Sequence, residues 1–192
     1  HVSRLNKLQV KELNFRFPGR SLLLENINFV VNKGEMVTFF GDIGCGKSTL
    51  LKHMAGLTPP LAGEIRLMGD PVTGGSQADR ARALRHFGMA YQSGALFGSM
   101  TLLENVSLPL ESFTDLPRDA RCLLAEMKLE LVGLKEYASF FPAEISGGMK
   151  KRAAIARAMA LDPEILLLDE PSAGLDPVTS AGLDRLILRI RD

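Results

Sequence analysis

At 192 residues, with a net charge of +1 and 46% apolar content, the chain has the make-up of one globular domain with a sizeable core. The near-neutral balance argues against general nucleic-acid affinity, and two cysteines, Cys45 and Cys122, argue against a disulfide framework and fit a reducing compartment. No apolar run approaches the roughly 20 residues that span a bilayer, and the start at His1-Val2-Ser3-Arg4 lacks the apolar core of a signal peptide. Any membrane role is therefore expected to come through a partner.

In chain order, residues 8–17 alternate in part, with Val10, Leu13, Phe15 and Phe17 apolar, and predict a strand. Pro18-Gly19 turns it, and residues 22–31 predict a second strand with Ile27, Phe29 and Val31 on one face. After Asn32-Lys33-Gly34-Glu35, the run Met36-Val37-Thr38-Phe39-Phe40 reads as a buried strand leading into Gly41-Asp42-Ile43-Gly44-Cys45-Gly46-Lys47-Ser48-Thr49. That stretch fits G-x-x-x-x-G-K-[ST], the phosphate-cradling P-loop. Gly41, Gly44 and Gly46 let the backbone fold tightly and turn its N–H groups inward. Lys47 supplies a charge for the β/γ-phosphates, and the Ser48 hydroxyl a Mg²⁺ ligand. Cys45, at a helix start, has the setting of a low-pKa thiol, but a small residue tolerated in the loop is the simpler reading. Residues 48–55 read as a helix closed by Gly56, completing the strand–loop–helix context of a nucleotide site. Phe17, just before a turn, suits the core first and the mouth of that site second.

Further on, Pro59-Pro60-Leu61-Ala62-Gly63 breaks the chain, residues 64–68 predict a short strand, and residues 76–86 a polar helix whose Arg80, Arg82 and Arg85 form a solvated face. Residues 87–91 predict a strand that ends at Gln92, where a strand end faces the crevice of an α/β sheet. Residues 93–141 are helical in pattern. Leu102, Leu103 and Val106 form one apolar face; a helix with Pro117 in its first turn carries Ala120, Leu123, Leu124, Met127 and Leu131 as core positions and stops at Gly133. Ala95, Leu96 and Phe97 fit either packing in this lobe or a docking groove. Ser146-Gly147-Gly148-Met149 then opens a helix running to about residue 161, followed at once by Lys150-Lys151-Arg152. Cations there oppose the helix dipole, by about 0.3–1 kcal/mol each when exposed, so the segment reads as a phosphate-docking surface before a solvated basic patch. Residues 164–168 predict a strand buried on both faces, which delivers Asp169 and Glu170 to its end. An aspartate there can hold Mg²⁺, and a neighbouring carboxylate can orient an attacking water. A last helix carries Leu183, Leu186, Ile187 and Ile190 at i, i+3, i+4, i+7.

The P-loop, Gln92, Ile145-Ser146-Gly147-Gly148-Met149, Leu168-Asp169-Glu170 and Ala173-Gly174-Leu175-Asp176, in that order, resemble an ABC ATPase over nearly the whole chain. The resemblance implies an α/β P-loop NTPase fold, with an N-terminal antiparallel β subdomain, a RecA-like mixed or parallel sheet core and a small helical subdomain. In one domain over residues 1–192, about 1–92 and 158–192 would form the β subdomain and core, and about 93–157 the helical part with the signature. It further implies that Phe17 stacks on adenine and that Gln92 contacts Mg²⁺ and water while sensing a transporter partner. Ser146, Gly147 and Gly148 would close over the γ-phosphate held by a second subunit of a head-to-tail homodimer. Asp169 would be the Walker B carboxylate, Glu170 the catalytic one, and Asp176 the D-loop aspartate. The cofactors implied are ATP and Mg²⁺, and the partners a second ATPase subunit and an integral membrane permease, with or without a substrate-binding protein.

Two departures stand out. Met149 replaces the glutamine of many members, and the three histidines, His1, His53 and His86, all precede the place of the family's switch histidine, so the chain reads as truncated before that strand. Residues 91–97, 127–134 and 146–149 resemble ATPase subunits of Mla-type (Mce-associated) phospholipid transporters most, with methionine and polar-amino-acid importers as competitors. That implies a place on the cytoplasmic face of the inner membrane, through the permease. Ser146 lies 99 residues after Lys47, too close for the coiled-coil inserts of DNA-repair or chromosome-structuring relatives. One cassette does not fit the paired cassettes of ribosome-associated members. A nucleotide-dependent regulator without turnover is the remaining alternative.

Overall fold

The computed structural model describes residues 6–16, 22–32, 35–37, 39 and 45–191, in two compact units, 1–87 and 88–192. In the first, β1 (Asn6–Arg16) and β2 (Leu22–Asn32) form the expected antiparallel hairpin. The sheet order is β2-β1-β3-β4, with β3 at Ala62–Leu67 and β4 at Asp70–Pro71. Leu8, Val10 and Leu13 of β1 and Ile65 and Leu67 of β3 are fully buried, each contributing about 1.5–3 kcal/mol of apolar transfer. Alternation fails in mid-hairpin, because the register shifts between Val10 and Leu13. Asparagines stitch that irregularity: Asn28 Oδ1 accepts from Glu12 N at 2.8 Å, and Asn14 Oδ1 from Asn26 N at 3.0 Å. α1 (Lys47–Met54) buries Leu50, Leu51, His53 and Met54, and α2 (Gln77–Leu84) starts at a Ser76/Asp79 capping box. Arg82 and Arg85 are exposed as expected, while Arg80 donates to the Gly56 carbonyl.

The strand expected over Met36–Phe40 is absent at the described positions: residues 35–37 and 39 are irregular, with Met36 46% and Val37 43% exposed. An apolar run has little strand character of its own and needs flanking strands to pair with. Among the described residues the antiparallel sheet of this unit consists of β2, β1, β3 and β4.

In the second unit, β5 (Phe87–Ala90) and β6 (Ile165–Leu168) lie side by side. Asp169 N donates to Ala90 O at 3.0 Å, so the C-terminal ends of both strands meet and the strands run in parallel. α3 (Leu102–Phe113), α4 (Arg118–Leu131), α5 (Gly147–Ala158) and α6 (Pro177–Arg191) enclose one core, with Leu102, Val106, Leu129, Ile155 and Leu183 at its centre. Buried Asn105 pins the loop before α3: its side chain exchanges bonds with Phe97 N and O and donates to Met100 O and Thr101 O. The face expected of α4 holds only in part: Leu124 packs against the core and Ala120 is half-buried. Ala125 and Leu129 are buried, whereas Leu123, Met127 and Leu131 are 59%, 53% and 56% exposed. α4 is apolar on two sides, and the stripe with the smaller residue admits the closer approach. Pro117 is the N-cap of α4 rather than part of its first turn. Among the described residues, no helix is long and apolar enough to cross a membrane.

Candidate functional site

Of the expected P-loop, Cys45 to Thr49 are described; Gly41, Asp42, Ile43, Gly44 and the adenine candidate Phe17 lie outside the described residues. α1 is entered through Gly46, whose φ of 105° is left-handed and favours glycine. No side chain caps this start and no acid sits in its first turn. The first-turn N–H donors of such a helix point at a ligand position, with a dipole that favours an anion. Lys47, Ser48 and Thr49 are half-buried, and Lys47 Nζ lies 3.8 Å from the exposed Cys45 Sγ. Below them His53 is fully buried. Its Nδ1 is 2.6 Å from Thr58 O, and its ring meets Phe15 at 4.5 Å. Burial pushes the imidazole pKa below its ordinary 6.5 and so keeps the ring neutral.

In the second unit the paired ends of β5 and β6 present Gln92, exposed, beside Asp169, 8% exposed, and Glu170, exposed. Glu170 has φ 46°, a left-handed backbone uncommon for a residue with a Cβ. Its carbonyl accepts from Ala173 N at 3.1 Å, which closes the following turn. Lys151 of α5 reaches into that turn, with Nζ donating to Ala173 O at 2.6 Å and to Glu170 O at 3.3 Å. Burial lowers the Lys151 pKa, and the Glu170 charge works against that shift.

Ser146 is the N-cap of α5, its hydroxyl accepting from Met149 N at 3.3 Å. Gly147 has open space where a Cβ would stand, whereas a Cβ on Gly148 would meet Thr179 Cγ2 at 2.5 Å. Asp176 in turn caps α6: its carboxylate accepts from Val178 N at 3.1 Å, from Thr179 N at 3.0 Å and from the Thr179 hydroxyl. Those bonds hold its pKa below the ordinary carboxylate value. Thr179 therefore joins the serine–glycine segment to the Asp176 turn. Met149, half-buried, packs against the helical core. At the other end of α5, Arg157 donates to Ala95 O at 2.9 Å and Gly94 O at 3.1 Å and lies 5.9 Å from the Phe97 ring centroid. Leu96 turns into the core, and Phe97 is left 50% exposed.

A family profile described as "ABC transporter" matches residues 24–173. The chain belongs to the ABC transporter family. It is an ATP-binding, ATP-hydrolysing subunit of that family's transport machinery. An intermembrane phospholipid transport system ATP-binding protein, MlaF of Haemophilus influenzae, is 39% identical over 97% of this chain and 70% of the relative. A probable ribonucleotide transport ATP-binding protein, mkl of Mycobacterium leprae, is 42% identical over 95% of this chain and 52% of the relative. The ABC cassette MJ0796, solved as a dimer bound to ADP and Pi, superimposes with a TM-score of 0.85 at 29% identity, over 96% of this chain and 83% of that one.

Within the second unit of this ABC ATPase, Gln92 and Asp169 stand at neighbouring strand ends, and Gly148 and Asp176 share Thr179. Sequence reasoning named Lys151 only within a phosphate-docking segment and did not single out Arg157, which follows four apolar residues of α5. Only the direction of a long side chain separates a solvated or ligand-bound cation from a backbone-bonding one.

Proposed function

We propose that this chain couples ATP hydrolysis to the movement of phospholipid through a separate integral membrane permease. It would act at the cytoplasmic face of the inner membrane, as one half of a head-to-tail homodimer. The observation that carries the cargo is the 39% identity to a phospholipid-transport ATPase across 97% of the chain. In this reading Lys47 and the uncapped start of α1 hold the ATP phosphates. Gln92 and Glu170 orient the attacking water, and Glu170 is the carboxylate that activates it. Ser146, Gly147 and Gly148 face the γ-phosphate held by the second subunit, with Asp176 reaching toward it and Phe17 against adenine.

The donor set suits Mg²⁺. Ser48 offers a hydroxyl, Asp169 a carboxylate and Gln92 an amide oxygen, hard oxygens of the kind that bind this ion together with substrate phosphates. The ion would neutralise charge developing on the phosphates during transfer.

A ribonucleotide cargo is the second reading, favoured by the 42% identity to mkl. The test uses the full-length protein purified with its membrane partner and reconstituted into vesicles. ATP-dependent movement of labelled phospholipid, lost in Glu170→Gln, is expected. Movement of labelled ribonucleotide without movement of phospholipid would sink the lipid reading.

A further inference from the structure

A lysine early in α5, between Lys150 and Arg152, would ordinarily extend into water. Lys151 does not. Its ammonium is half-buried and donates to two carbonyls 19 and 22 residues further along the chain, at Glu170 and Ala173. A desolvated ammonium needs acceptors for its donors, and here the acceptors are the two ends of one turn, already closed by Ala173 N donating to Glu170 O. That turn begins at Glu170 with a left-handed φ of 46°, a conformation that persists only where the surroundings hold it. The direction of the Glu170 side chain is thus fixed by a backbone that Lys151 staples from the helix bearing Ser146.

We propose that Lys151 is a positioning residue for hydrolysis, holding the 170–173 turn so that the Glu170 carboxylate keeps its aim. The inference rests on the role given to Glu170 above. Lys151 bonds the backbone on which Glu170 stands, and its effect is carried through Glu170. It also makes α5 a mechanical link between the signature segment and the hydrolytic carboxylate.

Phosphate release would be measured on the full-length protein with its membrane partner, for Lys151→Met, Lys151→Arg, Glu170→Gln and the double variant Lys151→Met/Glu170→Gln. Lys151→Met should lower kcat ten- to hundredfold with KM for ATP within twofold. Lys151→Arg, which keeps charge and donors, should retain at least half of kcat. In the Glu170→Gln background, Lys151→Met should cause no further loss. Should Lys151→Met not yield folded protein, Lys151→Ala, which likewise removes every donor, carries the same comparison. Wild-type kcat in Lys151→Met while Glu170→Gln is inactive overturns the Lys151 inference alone. So does an equal further loss in the double variant, or a Lys151→Arg variant as slow as Lys151→Met. Wild-type turnover in Glu170→Gln overturns the Glu170 reading itself and this inference with it.

Discussion

Two helices of this chain begin where a phosphate is expected, and their starts are built differently. α1 opens at Gly46 without a side-chain cap; α5 opens at Ser146, whose hydroxyl already serves Met149 N. The first start lacks a side-chain cap, and a helix end of that kind can bind an anion through its backbone dipole. The second is satisfied on its own, and Gly148 locks it against Thr179 while Gly147 stays open. The difference teaches a division of labour. In the proposed function the P-loop helix would grip the phosphates, whereas α5 is a capped helix start offered to a second subunit.

The largest break of that contrast is Lys47→Ala. Loss of a charge-assisted hydrogen bond, about 1.5–3 kcal/mol, should weaken ATP binding roughly ten- to a hundredfold, and unchanged affinity by calorimetry would contradict a gripping α1. Next comes the pair Gly148→Val and Gly147→Ala. The first forces overpacking against Thr179 and should cost about 1–3 kcal/mol, a fall in Tm of several degrees; the second should leave stability nearly unchanged. Equal effects in thermal unfolding would erase the distinction between the two glycines. Ser146→Ala removes the α5 cap, with an expected loss of about 1 kcal/mol and no change in ATP affinity of the unpartnered subunit. The smallest effect is on acid stability. The folded Asp176 carboxyl titrates below its ordinary 3.8, so its α6 cap is fully effective above that value and is lost as pH falls through the lowered one. Asp176→Asn should flatten that part of the unfolding profile in acid titrations, and an unaltered profile would remove Asp176 from the cap.

The start of α1 was legible in residue identity: a glycine where the backbone must turn, at Gly46, then Lys47 and Ser48 opening the helix. Asp169 and Glu170 were legible for a related reason, since a four-residue apolar strand can end in carboxylates in few other ways. The face of α4 was not. Leu123-Met127-Leu131 and Ala125-Leu129 are both helical stripes, and only the neighbour decides which is buried. The strand expected over residues 36–40 is not found at the described positions 36, 37 and 39, because a buried strand is defined by its partners. The backbone partners of Lys151 and Arg157 were not legible, because spacing says nothing about where a four- or five-bond side chain ends.

The left-handed backbone at Glu170 carries an evolutionary consequence. Such a conformation costs a residue with a Cβ about 1–3 kcal/mol, and glycine would be relieved of most of that strain. Drift toward a more stable fold therefore runs, at this position, toward a residue with no carboxylate; with the role proposed for Glu170, stability and turnover pull residue 170 in opposite directions. A lineage released from the need to hydrolyse ATP would be expected to lose the glutamate first to glycine or asparagine, leaving the rest of the turn in place.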